Sequence, residues 1–205
     1  MARIDVPSFL ARPSAEISAG IVVIHEGNGI SKQLLRLCER LAGEGFAVVA
    51  PDLFFRSGGP SDEDYLAQVQ ALTTEEVLED LGSARRQLVG LGAAQVGVMG
   101  FCMGGTLSWQ AATHQAGFAA AVGFYGSGIA SELGEPSCPT LLFFGGSDPY
   151  IPAADIEAVA AHHAETTVYP AAGHGFMRDG SDDHDPVAAA DAWERTLRHF
   201  HQHLG

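Results

Sequence analysis

Short apolar runs alternate with helical patterns along the chain, and this alternation sets the expected fold. Residues 20–24 form a continuous apolar run that reads as a buried strand. Ser31 is placed to N-cap a helix running to about residue 42, which Gly43 and Gly45 would close. Residues 46–50 read as the next strand, and Pro51 stops it. The stretch 53–73 is polar and irregular, with Ser57, Gly58, Gly59 and Pro60, and reads as a loop or a lid. Thr73 and Glu76 have capping-box spacing, which predicts a helix from there to about residue 91. Further strands are expected at 95–99, 119–125, 140–144 and 166–169. Helices are expected from 103 to about 115, from 152 to 163, and from Pro186 onward. In that last helix Val187, Trp193, Leu197 and Phe200 fall roughly on one face. Strands alternating with helices imply βαβ crossovers: the α/β class, a mostly parallel central sheet with helices on both faces, one domain over 1–205. In such sheets ligands bind beyond the carboxyl ends of the strands.

Composition narrows the function classes. Hydrophobic residues make up 46% of the 205 positions and charged residues 18%, the balance of a globular chain. No apolar run approaches the roughly 18 residues of a membrane span. Residues 1–13 lack the h-region of a secretory signal, so a cytoplasmic location is expected. The net charge of −14, from 11 Lys+Arg against 25 Asp+Glu, would repel nucleic acid and anionic membranes. A small-molecule partner remains, with the chain a monomer or homodimer. Cys38, Cys102 and Cys138 form no CxxC pattern and read as separate thiols, with Cys38 and Cys138 as buried filler. No metal or cofactor is expected. His199, His201 and His203 are spaced i, i+2, which share no helix face. Asp182, Asp183, His184 and Asp185 lack EF-hand spacing and read as a solvated loop capping the last helix, and Gly27-Asn28-Gly29 lacks a P-loop lysine.

The strand ends carry the chemistry. After 95–99 comes Gly100-Phe101-Cys102-Met103-Gly104-Gly105, a G-x-C-x-G-G turn from strand to helix. A nucleophile elbow needs a strained central residue and small neighbours so that backbones can pass. Cys102 at a helix N-terminus sits where the dipole favours thiolate, and the Met103 amide is a natural oxyanion donor. Asp148 follows the strand at 140–144, and His174, in Gly173-His174-Gly175, follows the strand at 166–169. The order nucleophile, acid, histidine is that of α/β-hydrolases. His174 would take the thiol proton and Asp148 would hold the imidazole.

These segments resemble the dienelactone hydrolase (carboxymethylenebutenolidase) family. The matching stretches are Val22-Val23-Ile24-His25-Glu26, Pro51-Asp52-Leu53-Phe54-Phe55-Arg56, the GxCxGG turn, Phe124-Tyr125-Gly126, Asp148, and Gly173-His174-Gly175-Phe176-Met177-Arg178. The resemblance implies the α/β-hydrolase fold and a lactone or ester substrate, in the family case one bearing a carboxylate. It implies that Glu26 holds the resting thiol and that Gly27 supplies a second oxyanion amide. It also implies that Arg56 and Arg178 read the substrate carboxylate, with Tyr125 beside the elbow as a pocket residue. Two departures stand out: Gly27-Asn28-Gly29-Ile30 is glycine-richer than the family segment, and an N-terminal element is expected to be shortened. The rival readings are a carboxylesterase or thioesterase for neutral esters, and a ligand-binding or thiol-sensing protein on the same scaffold.

Overall fold

The computed structural model describes residues 6–61, 65–114 and 116–205. Residues 1–5 and the predicted helix end at 115 lie outside this set, as do residues 62–64 of the irregular stretch. The strands are β1 Ser8–Ala11, β2 Ala19–Ile24, β3 Ala47–Pro51, β4 Gln95–Phe101, β5 Ala120–Phe124, β6 Thr140–Gly145 and β7 Thr166–Tyr169. The helices are α1 Lys32–Gly43, α2 Tyr65–Ala71, α3 Thr74–Gly90, α4 Met103–Thr113, α5 Ala153–His162 and α6 Pro186–Leu204. One sheet runs in the order β1-β3-β2-β4-β5-β6-β7, parallel throughout except for the antiparallel edge strand β1.

The apolar runs become strands because both faces of the sheet are covered. All residues of β2, β3 and β6 are buried. Side chains alternate across the sheet and so supply two cores. Ile21, Val23 and Val48 pack with Leu34, Cys38 and Leu41 of α1 and with Trp193 and Phe200 of α6. Val22, Ile24 and Val49 pack with Val77, Leu81 and Leu88 of α3 and with Leu107 of α4. The predicted caps form: Ser31 Oγ accepts the Leu34 amide, and Thr73 Oγ1 accepts the Glu76 amide. Asp185 caps α6 by accepting the amides of Val187 and Ala188.

Three expectations change. The strand β1 precedes the first predicted one; it has four residues, three half-buried and Ala11 buried, with Phe9 against one core and Leu10 against the other, too short to show a period. Within 53–73 the chain forms a 3₁₀ turn, Phe55–Ser57, and the helix α2. Val187 lies in the first turn of α6 and is 80% exposed; the buried face runs instead through Ala189, Ala192, Trp193, Thr196 and Phe200.

Strand order positions the site. The chain leaves β2 for β3 on one side and returns to β4 on the other, so the β2/β4 boundary is a topological switch point. Ile24 pairs with Gly100, which brings the residues just past both strands side by side.

One buried ion pair ties the 3₁₀ turn to the sheet cover. Arg56 donates from Nη1 and Nη2 to the two oxygens of Asp80, a carboxylate on α3 that is 2% exposed. Removing the guanidinium leaves a buried charge without a partner. Arg56→Met is therefore expected to lower unfolding free energy by about 3 kcal/mol, read by urea denaturation; an unchanged midpoint would contradict this role.

Candidate active site

Cys102 N-caps α4 with φ 54° and ψ −116°, a backbone conformation that a side chain bearing a Cβ adopts only under constraint. The constraint is close packing. A Cβ on Gly100 would stand 2.3 Å from the Gly104 carbonyl oxygen, and one on Gly104 would stand 2.5 Å from that of Ile24. Only glycine lets the elbow lie this tightly on the end of β2. The Cys102 amide donates to the Phe124 carbonyl, which anchors the turn to β5. The thiol itself is half-buried.

Asp148 and His174 meet as expected. His174 Nδ1–H donates to Asp148 Oδ2 at 2.7 Å. The other oxygen, Oδ1, accepts the amides of Tyr150 and Ile151, so the carboxylate is oriented before any substrate arrives. Burial works against charge on His174, but the hydrogen bond to Asp148 and the nearby Cys102 sulfur outweigh it and raise the imidazole to about 9. The ring is framed by Tyr125 and by Tyr150, which sequence reasoning did not single out. The remaining thiols differ: burial pushes Cys38 up to about 12 and also raises Cys138.

Glu26 is placed beside the elbow, but not on the thiol. Its two oxygens accept Arg178 Nε–H at 3.1 and 3.0 Å, and the Tyr125 hydroxyl is 3.4 Å from Oε1. Cys102 is not among its hydrogen-bond partners in the described residues, which corrects the expected hold on the resting thiol. Arg178 also donates from Nη1 to Asp183, a residue that the sequence marked only as part of a solvated acidic loop. Arg56 is not brought into this group. Asp80 fills the fork expected to bind a substrate carboxylate, a partner the sequence could not reveal because it lies on a different helix. Burial and Glu26 hold the Tyr125 phenol well above its usual range, so it stays protonated. Tyr125 is another non-glycine residue with positive φ, at 39°.

A narrow cavity of about 20 Å³ is lined by Glu26, Phe101, Tyr125, Met177 and Arg178. That is room for roughly one water and not for an ester. The amides of Gly27 and Met103 have no hydrogen-bond partner among the described residues.

The sequence matches the profile of the dienelactone hydrolase family over residues 6–204. The chain belongs to that family. A Salmonella typhimurium protein named "Putative carboxymethylenebutenolidase" is 33% identical, with 98% of this chain and 84% of that one covered. The carboxymethylenebutenolidase of a Pseudomonas species is 30% identical, with 86% and 82% covered. A solved structure from Klebsiella pneumoniae, titled a "Putative Dienelactone Hydrolase", superposes with a TM-score of 0.86 at 30% identity, covering 96% of this chain and 93% of that one. The fold is thus the α/β-hydrolase fold, and this family member is a hydrolase of the carboxylic ester class.

No group of three or more His, Cys, Asp and Glu side chains among the described residues is arranged to hold a metal. The tail histidines do interact, at a spacing other than i, i+2. The rings of His199 and His203, one turn apart, lie 4.8 Å apart, and burial with His203 lowers His199 to about 4. No helix among the described residues is long and apolar enough to cross a membrane.

His174 ties stability to pH. Because its folded value of about 9 lies above the ordinary 6.5, its contribution is present below 6.5 and lost as pH rises through about 9. Urea midpoints of the wild type are expected to fall across that window more than those of His174→Gln. Parallel curves for the two proteins would contradict a raised imidazole.

Proposed function

We propose that this dienelactone hydrolase family member cleaves a lactone or ester through a thioester on Cys102. The observation that carries the reading is the strained cysteine elbow together with the oriented Asp148–His174 pair.

With the imidazole raised to about 9, His174 already holds on Nε2 the proton it takes from the Cys102 thiol, since Nδ1–H is committed to Asp148. The sulfur then bonds to the carbonyl carbon, and the developing oxyanion is met by the amides of Gly27 and Met103. The carbon–oxygen bond breaks and His174 returns its proton to the leaving oxygen. In a lactone that oxygen stays tethered to the acyl group. Water next attacks the thioester while His174 accepts its proton, and the proton returns to sulfur as the acid leaves. Glu26 and Asp183 hold Arg178 at the rim of the reaction, with the Tyr125 hydroxyl on Glu26, and displacement of Glu26 from Arg178 would free a guanidinium for a substrate carboxylate. The relatives named as carboxymethylenebutenolidases favour such an anionic lactone.

A second reading, turnover of neutral esters, is favoured by one observation. Both guanidinium forks already hold carboxylates: Arg56 binds Asp80, and Arg178 binds Glu26 and Asp183. Within a chain of net charge −14, this leaves little positive field for an anion.

Hydrolysis of a dienelactone and of a neutral aryl ester, wild type beside Cys102→Ala, tests both readings. Both activities are expected to be abolished in the variant, and retained activity would remove Cys102 as nucleophile. Arg178→Ala should reduce kcat/KM for the anionic lactone by about tenfold or more, one charge-assisted pair being worth roughly 1.5–3 kcal/mol. Equal losses on the neutral ester would assign Arg178 no part in reading charge.

A further inference from the structure

His25 belongs to none of the roles assigned so far, yet it is fully buried between the ends of β2 and β3. Its two nitrogens have different partners. Nε2 lies 3.1 Å from the amide of Leu53, and an amide can only donate, so Nε2 carries no proton. The proton of the neutral ring is therefore on Nδ1, which donates to the Glu26 carbonyl oxygen at 2.6 Å. The tautomer follows from the chemistry of the partners. Burial lowers the pKa of the ring, which keeps it neutral and keeps this arrangement in place. Phe54 packs against the ring with centroids 4.9 Å apart and limits its rotation.

The consequence falls on the next amide. The Glu26 carbonyl and the Gly27 N–H belong to one peptide unit. No peptide bond among the described residues is cis, so the two groups point in opposite directions. The Glu26 carbonyl is held twice, by His25 Nδ1–H and by the Gly29 amide at 3.0 Å. Holding it there turns the Gly27 N–H away from His25. The elbow packs on the peptide unit just before this one: a Cβ on Gly104 would stand 2.8 Å from the His25 carbonyl oxygen. Around it the chain reads Gly27-Asn28-Gly29, where glycine leaves backbone rotation nearly unrestricted. Without a hold, this peptide could flip and present a carbonyl oxygen where an oxyanion needs a donor.

We propose that His25 is a positioning residue for the oxyanion hole, fixing the Glu26–Gly27 peptide so that the Gly27 amide faces the reacting carbonyl. The proposal rests on the Cys102 reading and on the assignment of Gly27 as an oxyanion donor.

Two variants divide the ring's two bonds. His25→Gln can still accept the Leu53 amide from the Nε2 position but removes the donor at Nδ1. His25→Asn keeps a donor near Nδ1 and gives up the Leu53 bond. For a neutral aryl ester, His25→Gln is expected to lose kcat on the order of 10²-fold, the cost of one oxyanion donor, with KM little changed. Alkylation of Cys102 by iodoacetamide should continue at the wild-type rate, because displacement at a saturated carbon develops no oxyanion. His25→Asn should keep a near wild-type kcat while its unfolding midpoint falls, so it carries the test even where the glutamine variant does not fold. A wild-type kcat in His25→Gln overturns the proposal. So does alkylation falling in step with kcat, which would show damage to the thiol–imidazole pair, or a collapse of kcat in His25→Asn. A wild-type protein that still hydrolyses ester after complete alkylation of Cys102 would instead bring down the nucleophile reading beneath it.

Discussion

The site depends on how closely the cysteine elbow lies against the end of β2. Gly100 and Gly104 allow backbone contacts that any side chain would block, and these contacts force Cys102 into its positive-φ conformation. The same contact places α4, with the Met103 amide in its first turn, beside the peptides that follow Ile24 and His25. Sheet order reinforces the arrangement, since β2 and β4 are neighbours at the switch point and end in register. The proposed nucleophile and amide donors are thus placed by backbone packing at the sheet end, which favours a preorganised site over one assembled on mobile loops.

Electrostatics adds a second layer. Asp148 is bound by two backbone amides on one oxygen and by His174 on the other, so its charge and direction are both committed. On the opposite side, Arg178 sits between Glu26 and Asp183, with the Tyr125 phenol closing on Glu26. That cluster holds one cation and two carboxylates, so a substrate carboxylate must compete with groups already in place. Binding energy from the substrate would be spent in displacing them, which makes the cluster a selectivity element whichever ester the enzyme takes.

Much of this was legible in the chain because local rules govern it. The capping residues Ser31 and Thr73 announced their helices, and continuous apolar runs marked strands buried on both faces. The G-x-C-x-G-G frame announced the tight turn at Cys102 because such a turn needs small residues at fixed offsets. What stayed hidden was set by partners far apart in sequence. Asp80 lies on α3, 24 positions from Arg56, and only the folded sheet cover joins them. Asp183 is the exception, only five positions from Arg178 but in a loop, where no helical or strand period says which side chains meet. The tautomer of His25 depends on the Leu53 amide, a backbone group that no side-chain pattern can report. The edge strand β1 was missed because four residues, three of them half-buried, carry too little periodicity.

The most direct test of the central claim is to look for the covalent intermediate. Turnover of an activated aryl ester is quenched in acid, and the protein is digested and examined by mass spectrometry. The account predicts an acyl group on the peptide containing Cys102, absent from the peptides containing Cys38 and Cys138, and lost when the quench is delayed until substrate is exhausted. An acyl adduct on another residue, or active turnover with no adduct under conditions where deacylation is slowed, would contradict it.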